Sequence, residues 1–339
     1  MTVSSRFKTI LQYAFIFAVT FLLIGLSLRG LKGENKLEYL NVTWQSANKG
    51  WLLLMAVIAM LSHLVRAARW RMLMGPAGYT PSLANSFYSL MVGYLVNLVI
   101  PRGGEVSRCY NLYKLEKVPV DMSFGTVVVE RIIDLLCLLT LIVISFAVES
   151  QKLFAFVETL PINLSNSTNR LQTLLYIVVP VLMVGAFAVW FVKRNERVMN
   201  FIRKTWYGFR EGLLSVFRLE NKAQFIFYSA AIWMLYFLMS YTVLKAFPST
   251  AELGFGAVLS LFAIGSIAMA VPLPGGTGSY HLLVPQGLVF LYHVNSADAT
   301  AFTFIFHGWQ TAIMILAGAI SLLLTSHRVK REALISEEQ

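Results

Sequence analysis

Six apolar runs of roughly bilayer-crossing length constrain this chain more than any other feature. They are Ile10–Leu28, Trp51–Val65, Phe124–Val148, Leu171–Val192, Ala223–Phe247 and Ala299–Leu324. A transmembrane helix needs about 20 predominantly apolar residues to traverse roughly 30 Å of hydrocarbon. No water reaches that hydrocarbon to pair with the backbone, so each run must pair its own N–H and C=O groups as a helix. Composition agrees: 57% of residues are hydrophobic and 13% charged, with a mean hydropathy of +0.66. Soluble domains lie near 45–50% and 25%. The chain therefore reads as an all-α integral membrane protein, a polytopic helical bundle, with residues 1–339 as a single membrane domain. The first run follows Arg6 and Lys8. It lacks the small-residue cleavage site of a signal peptide, so it is expected to remain as an uncleaved span.

Net charge is +11. In a soluble protein that would suggest nucleic acid, but Lys and Arg collect on the cytoplasmic side of membrane proteins, so no nucleic-acid partner is expected. The densest basic stretch, residues 193–222, should be a cytoplasmic loop, and the sparsely basic Glu149–Arg170 should face outside. The cluster Arg66, Arg69 and Arg71 and the basic C-terminus then fall inside, with both termini cytoplasmic. Cys109 and Cys137 fit neither a disulfide framework nor a metal cluster, and no cofactor or metal is expected.

Two further apolar stretches end abnormally. Leu83–Ile100 runs into Pro101-Arg102-Gly103-Gly104, and Phe255–Val271 into Pro272-Leu273-Pro274-Gly275-Gly276, followed by His281–His293. The charge assignment puts both flanks of Leu83–Ile100 on one side, so this segment should be re-entrant. Residues 255–293 should either be re-entrant from the other side or cross twice. The fold expected is about six full spans plus two broken or re-entrant segments. Sliding the chain on itself lays Val99–Gly104 over Val271–Gly276, with Ser107 over Ser279. This gives two halves, residues 51–148 and 223–325, as an inverted repeat, with chance alignment of apolar sequence as the alternative. Paired interrupted segments of this kind mark the central site of many transporters.

A break at membrane depth leaves free amides and helix ends, a natural seat for a phosphate or carboxylate. The competing reading is a packed structural kink. Near the first break lie Asn97, Arg102, Gly103, Gly104, Glu105 and Arg108. Glu105 and Arg108 are one turn apart and could pair, which would leave Arg102 for a ligand. Glu130, Arg131 and Asp134 lie two turns inside an apolar run, where charge is costly and usually faces a bundle interior or aqueous path. Arg131 could reach Asp134, and a self-satisfied ion pair between helices is the alternative. In the second half the candidates are Pro274, Gly275, Gly276, Gly278, Ser279, His281, His307 and Gln310. Each polar one could equally be an interhelical hydrogen bond. Trp233, Tyr236, Ser240 and Tyr241 read best as helix packing.

Asn97-x3-Pro101-Arg102-x-Gly104-Glu105-x2-Arg108, Glu130-Arg131-x2-Asp134 and Pro274-Gly275-Gly276-x-Gly278 together resemble the motif set of the lysylphosphatidylglycerol synthase transmembrane-region family, also called the flippase-like domain family. It includes the flippase portion of bacterial multiple peptide resistance factors. The resemblance spans the chain. It implies movement of a phospholipid or lipid-linked head group in the cell (inner) membrane, with Arg102, Glu105, Arg108, Arg131 and Asp134 as polar core. The head group would enter a cavity between the two broken segments. The implied partner is a lipid with an anionic or phosphate-bearing head group; a second copy of the chain or an envelope-biosynthesis enzyme is a further partner compatible with it. Members often carry an acidic residue shortly after the second Gly-Gly, where His281 stands, so lysyl-phosphatidylglycerol is not implied. The resistance factors continue into an aminoacyl-transfer domain beyond the position of Gln339, so aminoacyl transfer is not expected. There is no Gly-x4-Gly-Lys-Ser/Thr loop, and the chain is expected not to be an enzyme. A membrane-embedded transferase on a lipid phosphate, with Glu130 and Asp134 as base or metal ligands, or an accessory subunit, are the alternatives.

Overall fold

The computed structural model describes residues 18, 21–31, 35–100, 103–159, 206–270, 273 and 276–337. The predicted span Leu171–Val192, most of the 193–222 loop, and Arg102, Pro274 and Gly275 lie outside the described residues. Ten α-helices carry the described fold: α1 (Lys36–Ser46), α2 (Lys49–Met74), α3 (Leu83–Asn97), α4 (Gly103–Glu116), α5 (Val120–Val148), α6 (Ser150–Thr159), α7 (Lys222–Ala246), α8 (Phe255–Ala270), α9 (Ser279–Tyr292) and α10 (Ser296–Glu337). Residues 206–214 add a further helical segment.

Among the described residues, α2, α7 and α10 are long and apolar enough to cross a membrane. Helix α5 has the length, about 43 Å at 1.5 Å per residue, but carries Glu130, Arg131 and Asp134 in its course. Helix α2 starts cleanly because the Asn48 side chain accepts from the free N–H groups of Gly50 and Trp51. It runs antiparallel to α7: Asn48 N–H donates to Ala246 C=O at one end, and Arg69 donates to Ser229 farther along. Leu52, Met55 and Ala59 of α2 enter one apolar cluster with Val243 and Leu244 of α7, Val258, Leu288 and Phe302. This cluster makes α2, α7, α8, α9 and α10 one body.

Each broken stretch is an antiparallel hairpin of two short helices. In the first, Ser89 meets Asn111, and at its base Ser82 N–H and the Asn85 amide both donate to Glu116. Near its tip the backbones touch. A Cβ on Gly104 would run into the Gly93 carbonyl oxygen, and one on Gly93 would meet the Gly104 oxygen at 2.8 Å. In the second hairpin, Ser279 donates to the Ala268 carbonyl at 2.7 Å, and Gly265 admits the Tyr280 ring.

Both hairpins lean on α10 from opposite ends. The first packs along its C-terminal part: Gly318 against Met91 and Leu95, Thr325 near Asn111, and Arg328 donating to Asn85. The second packs earlier, Tyr280 and His281 lying against His307 at ring separations of 5.3 and 4.7 Å. The base of the first hairpin lies at the C-terminal end of α2. The base of the second lies at the other end, where Ser145 of α5 donates to Leu259 C=O.

Candidate functional site

The polar centre is an ion network linking α2, α4, α5 and α7. Glu130 and Asp134 are four residues apart on α5 and so share a face. Arg66 and Arg69 are three apart on α2 and turn toward them. Arg69 donates to Asp134 at 2.7 Å, lies 3.4 Å from Glu130, and donates to Ser229. Arg66 pairs with Asp134 and donates to the Tyr236 hydroxyl at 2.8 Å. Arg108 of α4 donates to Glu130 at 2.5 Å, with its guanidinium over the Trp70 ring at 4.6 Å. Trp70 is in turn anchored by its N–H to Thr126. Glu130 and Arg69 are fully buried.

Two local pairings differ from those the spacing allows. Glu105 does not pair with Arg108, one turn along the same helix; it accepts from Arg131 of α5 at 2.8 Å. Arg131 therefore does not reach Asp134, which α2 supplies with both its partners. The cause is the face each residue takes: α5 turns Glu130 and Asp134 inward and Arg131 toward the rim, where its side chain is 46% exposed.

Beside the network lies a small cleft, open to the surface. Its floor is the glycine crossing, Gly93 and Gly104. Its polar wall is Asn97, Tyr94 and Arg108, and its rim is Glu105 and Arg131. Arg108 is 2% exposed, yet its Nε and Nη1 have no hydrogen-bond partner among the described residues. Glu105 Oε2 is likewise buried and without partner. Beside Tyr94 lies His63, ring centroids 4.8 Å apart and planes tilted by 55°.

The hairpin tips offer fewer free amides than a bare helix end. Asn97 accepts from Gly104 N–H at 2.7 Å, and Gly103 N–H is taken by Ile100 C=O. At the second tip, Gly278 N–H donates to His281 Nδ1. Gly276 and Gly278 have positive φ (71° and 103°), which L side chains resist. Gly276, Gly278, Ser279, His281 and His307 form a second group, with Gln310 half-buried one turn farther along α10. This group does not join the first. From His307 to Gly318, where the first hairpin leans, is about 16 Å along α10. Among the described residues the cleft is lined by α3, α4 and α5 alone, not by both broken segments.

Arg66, Arg69, Tyr94 and Tyr236 escaped the sequence reading as site residues. Arg66 and Arg69 stand just past an apolar run and so resembled a cytoplasmic flank. The available signal was the apolar sequence resuming through Trp70, Leu73 and Met74.

Comparison with known families places the arrangement. The model of the lysylphosphatidylglycerol synthase TM region matches residues 10–318. The chain belongs to this family. It is a multi-pass membrane protein, as the family and its apolar helices require. A UPF0104 membrane protein of Methanocaldococcus jannaschii is 34% identical over 108 residues, covering 30% of this chain and 32% of that protein. The glycosyltransferase AglD of Haloferax volcanii is 25% identical over 297 residues, covering 79% of this chain and 48% of that protein. The chain thus spans less than half the length of either relative. No solved structure matches it.

Proposed function

We propose that this family member moves the phosphate-bearing head group of a phospholipid or lipid-linked precursor across the bilayer, using the cleft between α3, α4 and α5. The observation that carries this reading is Arg108: a buried guanidinium beside a cleft, with two nitrogens that have no partner among the described residues. A charge inside a membrane protein is retained where it is paired or lines a pathway. Glu130 takes one nitrogen of Arg108; the two left over suit a further acceptor, such as a phosphate oxygen.

Depth and topology support the same reading. Arg131 lies about 16 Å from the start of α5, inside the hydrocarbon if α5 spans it. Helices α3 and α4 are about 22 Å and 21 Å long, short of the roughly 30 Å needed to cross, so their hairpin re-enters and exits on one side. The second hairpin, with its base at the other end of the bundle, re-enters from the opposite side. Arg71, Lys114, Arg218, Lys222 and Arg328 sit at the end where the first hairpin opens, which makes that end cytoplasmic. Both chain termini then face the cytoplasm of a cell with this protein in its inner membrane. Two broken hairpins of opposite sense are the arrangement of inverted-repeat transporters.

The likeness to a protein named a glycosyltransferase supports two refinements. A lipid-linked sugar joins the phospholipids as cargo, and a second reading, the membrane part of a lipid-phosphate transferase, stands beside transport. Product formation from labelled lipid donors separates the two. The transport reading is tested with protein in liposomes holding fluorescent phospholipids and polyprenyl phosphates. Wild type should move at least one across the bilayer, and Arg108→Ala should slow it by at least about tenfold, the loss of one charge-assisted contact. Absence of movement by wild type across the panel, or equal rates in the variant, would sink it.

A further inference from the structure

We propose that Glu105 is a specificity-determining residue, which fits the cleft to a singly charged phosphodiester and sets it against a doubly charged phosphomonoester. The inference rests on the reading that the cleft receives a head-group phosphate.

Charge balance comes first. Among the described residues, Arg66, Arg69 and Arg108 bind the carboxylates of Glu130 and Asp134, and Arg131 binds Glu105 as a separate, neutral pair. One positive charge is left over in the first group, and Arg108 is its member that lines the cleft. A phosphodiester carries one negative charge and neutralises it. A phosphomonoester carries about −1.5 to −2 at neutral pH. Its second charge would sit in the same cleft as Glu105, with Glu130 directly behind Arg108.

The donor and acceptor inventory points the same way. Glu105 spends one oxygen on Arg131 and keeps the other buried and unpaired. An acceptor left without a donor is costly. The alcohol half of a diester can present a hydroxyl or ammonium to that oxygen. Phosphatidic acid, a monoester whose remaining hydroxyls are acylated, has no second alcohol to present, so it would leave Glu105 unsatisfied as well as repelled. Arg131 on the rim remains available to the phosphate, because Glu105 takes only one of its guanidinium nitrogens.

The test measures binding rather than transport. Purified full-length protein in detergent is titrated with dioctanoyl phosphatidylglycerol and dioctanoyl phosphatidic acid at about pH 8, where the monoester is mostly doubly charged. Wild type should prefer the diester. Glu105→Gln should narrow that preference by at least about tenfold, the scale of one like charge removed at an effective dielectric near 20. Glu105→Asp, which keeps the charge, should retain the wild-type order, and melting curves of all three proteins verify folding. Glycerophosphoglycerol and glycerol 3-phosphate repeat the comparison without acyl chains. The same order there makes a soluble phosphodiester the ligand source, whereas binding by the lipids alone makes it the membrane. An unchanged diester-to-monoester ratio in Glu105→Gln, a wild-type preference for the monoester, or no binding of either lipid overturns the proposal. The transport reading fails separately: wild type could show the Glu105-dependent preference and still move no lipid.

Discussion

Glu130 is fully buried and receives Arg108 at 2.5 Å and Arg69 at 3.4 Å. Removing one member of a buried ion set strands its partners without water to solvate them, which typically costs about 3–5 kcal/mol. Glu130→Gln should therefore lower the melting temperature in detergent markedly. Arg131→Gln, at the half-exposed rim, should cost less than about 1 kcal/mol. Equal losses in thermal unfolding of the two variants would contradict the assignment of interior and rim. At this scale the sequence was readable where a charge had no ordinary excuse. Glu130, Arg131 and Asp134 interrupt an apolar run and so announce themselves. Arg66 and Arg69 did not, because an arginine after an apolar run has a ready explanation as a cytoplasmic anchor. Which of Glu105, Arg108, Arg131 and Asp134 pair with one another was also hidden, since spacing within one helix allows a contact but a neighbouring helix can supply a better one.

Among the elements, the α3–α4 hairpin depends on two backbones meeting at Gly93 and Gly104. A methyl group on Gly104 would meet the Gly93 carbonyl and the Asn97 side chain. Gly104→Ala should destabilise the protein by about 1–3 kcal/mol, as overpacking does, and should also widen the cleft. Gly308→Ala is the matched control, since nothing lies within 4 Å of its Cβ position; there the helix should gain up to about 1 kcal/mol. Melting curves read both. The break between these helices was legible, because Pro101-Arg102-Gly103-Gly104 cannot continue a helix through apolar sequence. The full length of α2 was not: its apolar run ends at Val65, but the helix continues to Met74. Buried partners on α5 and α7 accept the arginines that seemed to end it.

Taken whole, the molecule has hairpins with bases at opposite ends of the bundle, and their sidedness can be measured. Single cysteines at Lys114 and at Glu252, in a background with Cys109→Ala and Cys137→Ser, should react with an impermeant maleimide from opposite sides of sealed vesicles. Labelling from the same side would contradict re-entry from opposite faces. Little of this arrangement could be read with certainty from the chain, because the two halves share few identities and apolar segments align readily. It is clearer in the contacts that each hairpin makes with α10.

Those contacts make α10 a lever. One straight helix carries the first hairpin against Gly318 and the second against His307, with its middle between them. A tilt about that middle swings the two arms in opposite directions. On the transport reading proposed above, whatever loosens the first hairpin from its seat would press the second one home, and the two faces of the bundle would open by turns.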